Sequence, residues 1–428
     1  MAIVSYRYFP DAMPEKKQVE EGAEENINAY ELEDDRRLTR DLKREDNEIL
    51  ALSRQETEQL LEKISPKKEN TILNQYNSKL PETINETLRY FQYPISYNYF
   101  LVTVEKGTKI REGPQPGDNV VGRVENLDKV SLLQRVEGKE KAGSRIWYRI
   151  AAEREGQIDE GYLHSSEGIP RTFRFQAMKE KVDELRGQLN EGKLNFISNY
   201  RNQNGTPPQE GNIKVDEYGY RVYHSAPAYE RASTDANYRY VPDGMLVRIL
   251  DQVDGFYHVN IPSFGGDFYV PENYINPETG LENLNQVLVV DDEQQNQALF
   301  EVTEAGFNMV SYTLATTGAE GDYSFRTSPG NYKALEKKER FEYLKKGSDN
   351  VAGYAPFATR FSGGAYVHGV PVSYEEQNGE KVDPGLEEYL HTIGTFPRSS
   401  MCVRNFTSHA KFVYNWMDAE NGAVIVME

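Results

Sequence analysis

The chain has 428 residues, more than one hydrophobic core usually accommodates, so roughly two to four domains are expected. Hydrophobic residues make up 38% and charged residues 27%, which is typical of a soluble globular protein. The net charge of -19 argues against nucleic acid and acidic lipid surfaces as partners, because both are repelled. The single cysteine excludes an intrachain disulfide and paired-cysteine metal sites, but it is compatible with a thiol nucleophile.

The beginning of the chain carries no export signal of the usual kind. The stretch MAIVSYRYFP lacks the basic-then-apolar layout of a signal peptide, and no apolar run approaches the roughly 20 residues of a membrane-spanning helix. Two readings follow. Either the protein is cytosolic, or an export signal has been removed from the sequence.

Residues 1–92 predict a helical, partly disordered N-terminal region. Charged residues dominate positions 11–70, and the apolar residues among them fall at roughly helical intervals. Such an exposed arm is interpreted as a spacer or, alternatively, as a membrane-proximal stalk.

Residues 93–170 predict a small all-β domain. The stretches YFLVTV, VSLLQRV, WYRIAAE and GYLHSS follow one another with turn residues between them. The segment resembles the bacterial SH3-type domain in Ile110 to Pro114, Val121-Gly122, Trp147-Tyr148 and Gly161 to Leu163. The resemblance implies that the Trp-Tyr strand packs a small barrel and that the Gly-Tyr strand closes it.

Residues 171–214 predict a helical linker, because apolar residues from Phe175 to Leu194 recur near a 3.6-residue period. The stretch NQNGTPPQEGN then has the composition of a connecting segment. Residues 215–278 predict a second domain of the SH3-like kind, with FYVPENYI as its closing stretch. The two small domains form an imperfect internal repeat that serves either wall binding or rigid spacing.

The last segment, from about residue 285, changes to longer strands. QVLVVDDEQQNQALFEV predicts two strands around a turn, and NMVSYTLATTG predicts a strand ending at Gly318. RTSPGNYKAL predicts a turn entering a strand, and GGAYVHGVPV predicts another strand. HTIGTFPRSSMCVRN predicts a short helical segment, SHAKFVYNWMDAEN a helix and NGAVIVM a terminal strand.

Residues 284–428 resemble the catalytic domain of the L,D-transpeptidases, the YkuD family, and they carry its elements in family order. Together with the predictions for the preceding segments, this resemblance predicts a multidomain, mainly β protein, in which two SH3-like barrels, a linker helix and a helical N-terminal arm precede the catalytic domain. The matching residues are Val289-Val290-Asp291, Thr316-Thr317-Gly318, Thr327 to Tyr332, Val367-His368-Gly369, Ser399 to Arg404 and the closing strand.

Two departures from the family pattern concern the site itself. Met401 occupies the position where the family has glycine, and its bulk restricts the backbone dihedrals there. His368 precedes Cys402 by 34 residues, about twice the usual gap, and the excess is the charged stretch 372–390. A surface insertion lengthens a loop at modest entropic cost, so this stretch is interpreted as a lid or an acceptor-selecting loop.

The resemblance implies that Cys402 is a nucleophile and that His368 is its general base. A thiol with a pKa near ~8.5 is mostly protonated at neutral pH, so an imidazole within hydrogen-bond reach has to remove the proton. The backbone N–H groups of Met401 and Cys402 would then hold the oxyanion.

Two other histidines are rival bases. His391 lies 11 residues before Cys402 in a predicted loop, and His409 begins the predicted helix, where a surface position is expected. On its predicted strand, His368 shares a face with Tyr366. The remaining histidines, His164, His224 and His258, fall in the small domains and receive no role.

Further candidates surround the Cys402 motif. Arg404 is expected to line the site, where a guanidinium favours thiolate and can bind a carboxylate. Ser399 is expected to hydrogen-bond near the imidazole, Ser400 to contact substrate, and Gly369 to allow a close approach of the backbone. Tyr332 and Tyr354 line a donor groove or, equally, pack in the core.

The reaction implied by the resemblance is cleavage of a peptidoglycan stem tetrapeptide before its terminal D-Ala and transfer of the acyl group to an amine of a second stem, a 3–3 cross-link. Water as acceptor gives an L,D-carboxypeptidase. The alternatives are a non-catalytic wall-binding scaffold and a general cysteine peptidase. No metal or organic cofactor is expected, carbapenem-type β-lactams are expected to acylate Cys402, and the location is expected to be the cell envelope, with the export signal removed.

Overall fold

The computed structural model describes residues 49–63, 71–77, 79–209, 211, 213–304, 306–321, 324–344, 350–388 and 391–428. Within these residues the chain is mainly β, as the sequence predicts. Most of the predicted helical arm falls in residues 1–48 and 64–70, outside the described ranges. None of the described helices has the length and apolar content that a bilayer-spanning segment requires.

The described residues of the first part of the chain form a ten-residue helix, one sheet and a short strand, Ile84–Glu86, that pairs with a later strand of the C-terminal part. Leu50 and Leu52 are buried ahead of the helix, and the Leu50 N–H donates to the Lys129 carbonyl at 2.9 Å. The elements are α1 (Arg54–Lys63), β1 (Thr71–Gln75), β2 (Ile84–Glu86), β3 (Asn98–Val102), β4 (Thr108–Arg111), β5 (Val120–Val124), β6 (Lys129–Lys141), β7 (Ser144–Arg154), β8 (Gln157–His164) and β9 (Gly168–Thr172).

The first sheet contains the residues that suggested an SH3-like domain. Its strand order is β5-β4-β8-β7-β6-β3-β9, with β1 paired to β6. Trp147 on β7 is fully buried, and its indole N–H donates to the Lys139 carbonyl at 2.9 Å. Among the described residues the end strands β5 and β9 do not pair with each other, so the sheet is open. The prediction of an SH3-like barrel is therefore not confirmed.

The linker helix predicted from the 3.6-residue period is present as α2 (Phe175–Asn190). A second sheet follows, with the order β10-β13-β14-β15-β11-β12. It is also open among the described residues, and the second SH3-like barrel is likewise not confirmed. Its strands are β10 (Asn195–Phe196), β11 (Ser225–Tyr229), β12 (Tyr238–Pro242), β13 (Leu246–Val253), β14 (Phe256–Ile261) and β15 (Gly266–Pro271).

Among the described residues, the C-terminal part contains a six-stranded sheet, a five-stranded sheet and one α-helix. Their orders are β19-β27-β16-β17-β18-β2 and β20-β21-β22-β26, and β23 pairs with β21. The elements are β16 (Gln286–Asp291), β17 (Asn296–Thr303), β18 (Gly306–Leu314), β19 (Gly330–Lys333), β20 (Lys337–Leu344), β21 (Val351–Ser362), β22 (Ala365–His368), β23 (Val372–Ser373), β24 (Glu375–Gln377), β25 (Glu380–Val382), β26 (Val403–Arg404), α3 (Thr407–Trp416) and β27 (Gly422–Met427).

The sheet that contains β16 and β27 is covered on both faces. Alternate side chains of each strand point to opposite faces, so neighbouring residues belong to different cores. On one face, Val287, Val289 and Ile425 pack with the apolar side of α2. On the other face, Leu288 and Val290 join Phe412 and Val413 of α3 and Val367 of β22 in one core. Helix α3 thus lies between the two C-terminal sheets and fixes β22 and β26, the strands that carry the candidate site.

One predicted element is wrong. Residues 391–405 form turns and the two-residue strand β26, not a helix. Backbone hydrogen bonds to Thr316 and Thr317, more than eighty residues earlier, hold this segment in place. The short-range pattern does not contain these partners, so periodicity alone misassigned the segment.

The first sheet contacts the segment before Cys402 through Lys129 of β6. This side chain is fully buried, and its Nζ donates to the His391 carbonyl at 2.6 Å. Burial lowers the pKa of Lys129 to about 7, although Asp128 opposes the shift and Arg398 adds to it. The N-terminal part of the chain is therefore packed against the loop that leads to the cysteine.

Candidate active site

His368 and Cys402 lie on adjacent parallel segments. Strand β22 pairs with β26, with Val367 opposite Val403 and His368 opposite Arg404. Because side chains alternate, Tyr366 and His368 share one face of β22, and Arg404 and Cys402 share the corresponding face of the neighbouring segment. Tyr366 and Cys402 indeed belong to one buried cluster. The structure thus places the predicted base and nucleophile on the same side of the sheet.

The Cys402 side chain is fully buried. Its Sγ lies 3.7 Å from the Gly364 carbonyl oxygen, the geometry of a weak S–H···O hydrogen bond. The surrounding cluster consists of apolar and aromatic side chains, so a ligand reaches the sulfur only when neighbouring groups move. These side chains are Phe341, Ala355, Ala358 and Tyr366.

The His368 ring is buried and neutral. Its Nδ1 lies 2.6 Å from the Gly369 carbonyl oxygen, which can only accept, so the proton is assigned to Nδ1 and Nε2 keeps its lone pair. Nε2 is buried and has no hydrogen-bond partner among the described residues, the Cys402 thiol included. Burial lowers the pKa of His368 to about 3; the Gly369 bond opposes this shift and Arg404 adds to it.

Four backbone hydrogen bonds between residues 316–317 and residues 398–404 fix the loop that contains Cys402. The N–H groups of Arg398 and Ser399 both donate to the Thr317 carbonyl, at 2.9 and 3.0 Å. Thr316 and Arg404 exchange two bonds of 3.0 and 2.8 Å. The backbone of the Thr316-Thr317-Gly318 motif therefore determines the conformation of the cysteine loop.

Ser399 has a different partner from the one expected. Its hydroxyl donates to the Cys402 carbonyl oxygen, and no bond to the His368 ring is present in the described structure. Its role in this arrangement is to hold the backbone of the nucleophile. Ser400, the next residue, is buried in the same loop.

Met401 adopts a left-handed backbone conformation, with a φ of 66°. A glycine accommodates this region without steric penalty, which explains why the family pattern has glycine here. The Met401 N–H donates to the Phe325 carbonyl at 2.8 Å, and its carbonyl accepts from Thr327 Oγ1 at 2.9 Å. In this arrangement the Met401 N–H, expected to bind the oxyanion, is already engaged, so that role requires the bond to Phe325 to break.

Gly369 and Arg404 flank His368. A Cβ at Gly369 would lie 2.9 Å from both Pro356 Cγ and Thr407 Oγ1, so this position requires a close approach of the backbone. Arg404 lies opposite His368, and its Nε is buried without a hydrogen-bond partner among the described residues.

The two predicted groove tyrosines are in different places. Tyr332 is fully buried, donates its hydroxyl to the Ser328 carbonyl at 3.0 Å and lines a cavity next to Met401. Tyr354 instead donates to the Asp383 carboxylate at 3.0 Å, in a cluster that is separate from that of Cys402. The structure therefore brings Tyr332, and not Tyr354, to the neighbourhood of the site.

The rival histidines lie elsewhere. The prediction that His409 is at the surface is wrong: it is fully buried, with Nδ1 2.7 Å from Asn405 Oδ1 and Nε2 2.8 Å from Ser311 Oγ. Both ring nitrogens of His409 therefore take part in hydrogen bonds, which link α3 to β17 through Gln297 and to β18 through Ser311. His391 is partly exposed, and its carbonyl binds Lys129. Among these three histidines, His368 is the one on the sheet face of Cys402.

A narrow cavity of about 20 Å³ borders the cysteine loop. Arg221, Tyr223 and His224, for which the sequence pattern indicated no role, contribute to its wall. Arg221 donates to the Met401 sulfur, and the buried His224 ring accepts the Arg201 N–H at 2.6 Å through Nδ1. Arg221 and Met401 are 180 residues apart, so nothing in the local sequence pattern indicated this contact. The residues that line this cavity include Arg221, Tyr223, His224, Arg326, Gly364 and Met401.

The described part of the chain holds no group of three or more His, Cys, Asp or Glu side chains arranged to bind a metal ion.

Comparison with known families assigns this part of the chain. Residues 285–426 match the model of the YkuD family, described as the L,D-transpeptidase catalytic domain. The match confirms the family prediction for residues 285–426, which correspond to the catalytic domain of the L,D-transpeptidases. A comparison with curated proteins found no match.

Solved structures that resemble the chain include a fused zinc-dependent amidase/peptidase and peptidoglycan-binding protein from Clostridium acetobutylicum. It is 14% identical over 33% of this chain and 52% of its own, about half its length, with a TM-score of 0.23. An L,D-transpeptidase from Mycobacterium smegmatis is 15% identical over 42% of this chain and 82% of its own, with a TM-score of 0.26.

A third structure is L,D-transpeptidase 3 from Mycobacterium tuberculosis in complex with a faropenem-derived adduct. It is 17% identical over 43% of this chain and 82% of its own, with a TM-score of 0.25. These TM-scores are low, so the assignment of the catalytic domain rests on the family match and not on the structural likeness.

Proposed function

We propose that the protein is a peptidoglycan L,D-transpeptidase in which Cys402 is the nucleophile and His368 the general base. The observation that carries the proposal is the placement of these two side chains on one face of the β22–β26 pair, inside the domain that matches the family. The Nε2 of His368 supports it further, because it is an acceptor with no partner among the described residues.

The proposed reaction has two halves. The thiol proton passes to His368 Nε2, and the sulfur attacks the carbonyl carbon of the third residue of a stem tetrapeptide. The carbon–nitrogen bond to the terminal D-Ala breaks, and the imidazolium returns its proton to the leaving amine. An amine of a second stem then attacks the thioester, its proton passes by way of Nε2 to the sulfur, and a 3–3 cross-link forms.

The remaining residues are proposed to assist this chemistry. The Gly369 carbonyl fixes the Nδ1–H tautomer, which leaves Nε2 as the base. The Ser399 hydroxyl holds the Cys402 backbone. Arg404, opposite His368, supplies positive charge near the thiolate and near substrate carboxylates.

The closed arrangement has to open for this reaction. The cavity beside Met401 has room for about one water molecule, and the Met401 N–H donates to the Phe325 carbonyl. We propose that donor binding displaces the side chains over the cavity and admits water to the His368 ring, which returns its pKa toward the usual value. The same event frees the cysteine loop to bind the oxyanion.

A specific observation favours a second candidate, a non-catalytic wall-binding protein. Met401 carries a bulky side chain in a left-handed conformation next to a fully buried thiol, an arrangement that obstructs acylation. An L,D-carboxypeptidase, with water as acceptor, is the other variant of the proposal. All three candidates act on or bind the cell wall, and we propose an extracytoplasmic location.

Muropeptide analysis after incubation with purified sacculi tests the proposal. The transpeptidase produces 3–3 cross-linked dimers, the carboxypeptidase produces tripeptides, and the scaffold changes nothing. Cys402→Ser and His368→Ala should each abolish the products. His258→Ala is the matched control, because His258 stacks on Tyr269 in the second sheet and does not contact the site.

A covalent probe gives an independent reading. We expect a carbapenem to add its mass to wild-type protein at Cys402 and to do so far more slowly in His368→Ala. An intact native protein that gains no mass, and that leaves sacculi unchanged, would overturn the enzyme assignment in favour of the scaffold.

A further inference from the structure

Arg221 brings a poorly partnered guanidinium to the cavity beside Cys402. One of its N–H groups donates to the Met401 sulfur, and its Cζ lies 4.2 Å from the centre of the Phe325 ring. Its Nε is buried without a hydrogen-bond partner, and it forms no ion pair with a carboxylate of the described residues. A thioether is a weak acceptor, so this cation lacks a strong counterpart.

The other cation in the cavity wall is neutralised. Arg326 binds the Asp292 carboxylate at 2.9 Å and that of Glu428 at 2.5 Å. No aspartate or glutamate occurs among the described residues that line the cavity. Arg221 is therefore the uncompensated charge there, and an anion is the complementary ligand.

This charge lies close to the nucleophile. Arg221 contacts Met401, the residue before Cys402, and the cavity wall includes Gly364, whose carbonyl lies 3.7 Å from Cys402 Sγ. Burial lowers the pKa of Arg221 to about 10, while Tyr223 and Cys402 oppose the shift, so the guanidinium and the thiol are within electrostatic reach.

We propose that Arg221, contributed by the second small domain, is a specificity-determining residue that binds the terminal carboxylate of the acyl donor. This inference rests on the proposed function. In a tetrapeptide donor, only the amide nitrogen and one Cα separate the scissile carbonyl carbon from the terminal carboxylate carbon, a distance of roughly 4 Å. When the Cys402 sulfur attacks that carbonyl, the carboxylate lies in the region that Arg221 occupies.

The exchange of partners favours binding. A carboxylate offers the guanidinium two charge-assisted hydrogen bonds in place of one weak bond to sulfur. Tyr223, which covers the cavity next to Arg221, is 47% exposed, so its side chain has solvent into which it can move when the ligand enters. The donor that fits this site carries a free carboxylate on the single residue that follows the scissile bond.

Donor peptides with a free C-terminal carboxylate and with a C-terminal amide test the specificity. In Arg221→Gln, we expect kcat/KM for the carboxylate donor to fall about tenfold to a hundredfold, the range for a hydrogen-bonded charge, and to stay within about twofold for the amide donor. Arg221→Lys should recover part of the loss. An equal fall for both donors would overturn the proposal.

Arg239→Gln is the matched control for that measurement. Arg239 also belongs to the second small domain, and its Cζ lies 3.6 Å from the centre of the Phe264 ring, but it does not line the cavity. We expect the preference for the carboxylate donor to be unchanged in this variant. A loss of preference equal to that of Arg221→Gln would assign the effect to the domain as a whole and overturn the role of Arg221.

Alkylation of the single cysteine separates this inference from the proposed function. We expect the ratio of the iodoacetate rate to the iodoacetamide rate to fall about tenfold or more in Arg221→Gln and to be unchanged in Arg239→Gln. An unchanged ratio in Arg221→Gln, or native protein that neither reagent labels, would overturn the anion site. A changed ratio without any peptide turnover would leave the anion site standing and remove the transpeptidase.

Discussion

Met401 combines a conformation suited to glycine with a side chain that fills the approach to the nucleophile. Its φ of 66° lies in the left-handed region, which disfavours a residue with a Cβ by about 1–2 kcal/mol. Its side chain is nevertheless buried, in contact with Arg221 and within the central core. The packing of the thioether thus offsets the backbone strain and keeps the cavity closed.

Two substitutions at this position separate strain from obstruction. Met401→Ala and Met401→Gly both remove the obstructing side chain, so both should speed iodoacetamide labelling of Cys402. Only glycine relieves the strain, so Met401→Gly should be more stable than Met401→Ala by about 1 kcal/mol in urea unfolding. Equal stabilities for the two variants would contradict the role assigned to the backbone conformation.

At the scale of the element, the turn after β18 shapes the cysteine loop. Gly318 packs so closely against this loop that a Cβ would lie 2.6 Å from the Met401 backbone nitrogen and also against the Phe325 carbonyl. These are backbone atoms, which cannot rotate away as a side chain would. The conformation of the cysteine loop therefore requires a glycine at position 318, which is 83 residues before Met401. This requirement is consistent with the glycine of the Thr-Thr-Gly motif.

We expect Gly318→Ala to displace the loop and to destabilise the protein by roughly 1–3 kcal/mol, the usual range for overpacking. Carbapenem acylation of Cys402 should slow at the same time. Thermal unfolding and mass spectrometry measure the two effects. Gly117→Ala is the control, because a Cβ there meets nothing within 4 Å, and a similar loss in that variant would refute the packing argument.

The stretch 372–390, interpreted as a lid or an acceptor-selecting loop, is anchored through Glu388 on the start of α3. Glu388 is buried, and its carboxylate accepts the Ser408 N–H at 2.8 Å as well as the Ser408 hydroxyl. Burial raises the pKa of Glu388 to about 7, although the bonds from Ser408 oppose the shift. Its stabilising contribution is present below its usual pKa of 4.5 and is lost as the pH rises through 7.

Glu388→Gln should therefore change the pH dependence of stability. The amide keeps an acceptor for Ser408 but cannot ionise, so at pH 8 we expect the variant to be more stable than wild type by roughly 1–3 kcal/mol. The advantage should vanish near pH 5. Chemical unfolding at both values measures it, and Glu376→Gln, on the exposed hairpin of the same stretch, should show no such difference.

The elements with a strong local signal could be predicted from the sequence. The apolar runs gave β16, β17 and β27, and the helical periods gave α2 and α3. The turns around Pro397 and Ser400 could not, because distant backbone groups determine their conformation. His409 was misplaced for the same reason: its partners Ser311 and Gln297 are about a hundred residues away.

Some residues of the candidate site could be identified from the sequence and others could not. Cys402, His368 and Arg404 could be identified because the family motifs are contiguous in sequence. Arg221 and His224 could not, since their approach to the site depends on how the second small domain packs against the catalytic domain. The predicted domain boundaries and the catalytic roles of the site residues stay predictions.

At the scale of the whole molecule, three buried histidines make stability sensitive to acid. Burial lowers the pKa of His224 to about 2 and those of His368 and His409 to about 3, from a usual value of 6.5. Between about pH 3 and 6.5 the unfolded chain binds more protons than the folded protein, so the free energy of unfolding falls as the pH falls.

Each of these histidines should contribute about 1.4 kcal/mol per pH unit in that window. We expect His409→Gln to reduce the slope of the unfolding free energy against pH by about this amount between pH 6 and pH 4. Identical slopes in wild type and His409→Gln would contradict a neutral buried His409.

The packing of α2 on β16 and β27 has a practical consequence for laboratory work. A fragment cut to residues 285–426 would expose Val287, Val289 and Ile425 to water, together with the strand edge that β2 otherwise occupies. Such a piece should aggregate when expressed in isolation. Enzymology and crystallisation are better begun from a polypeptide that retains the helix and everything between it and the cysteine.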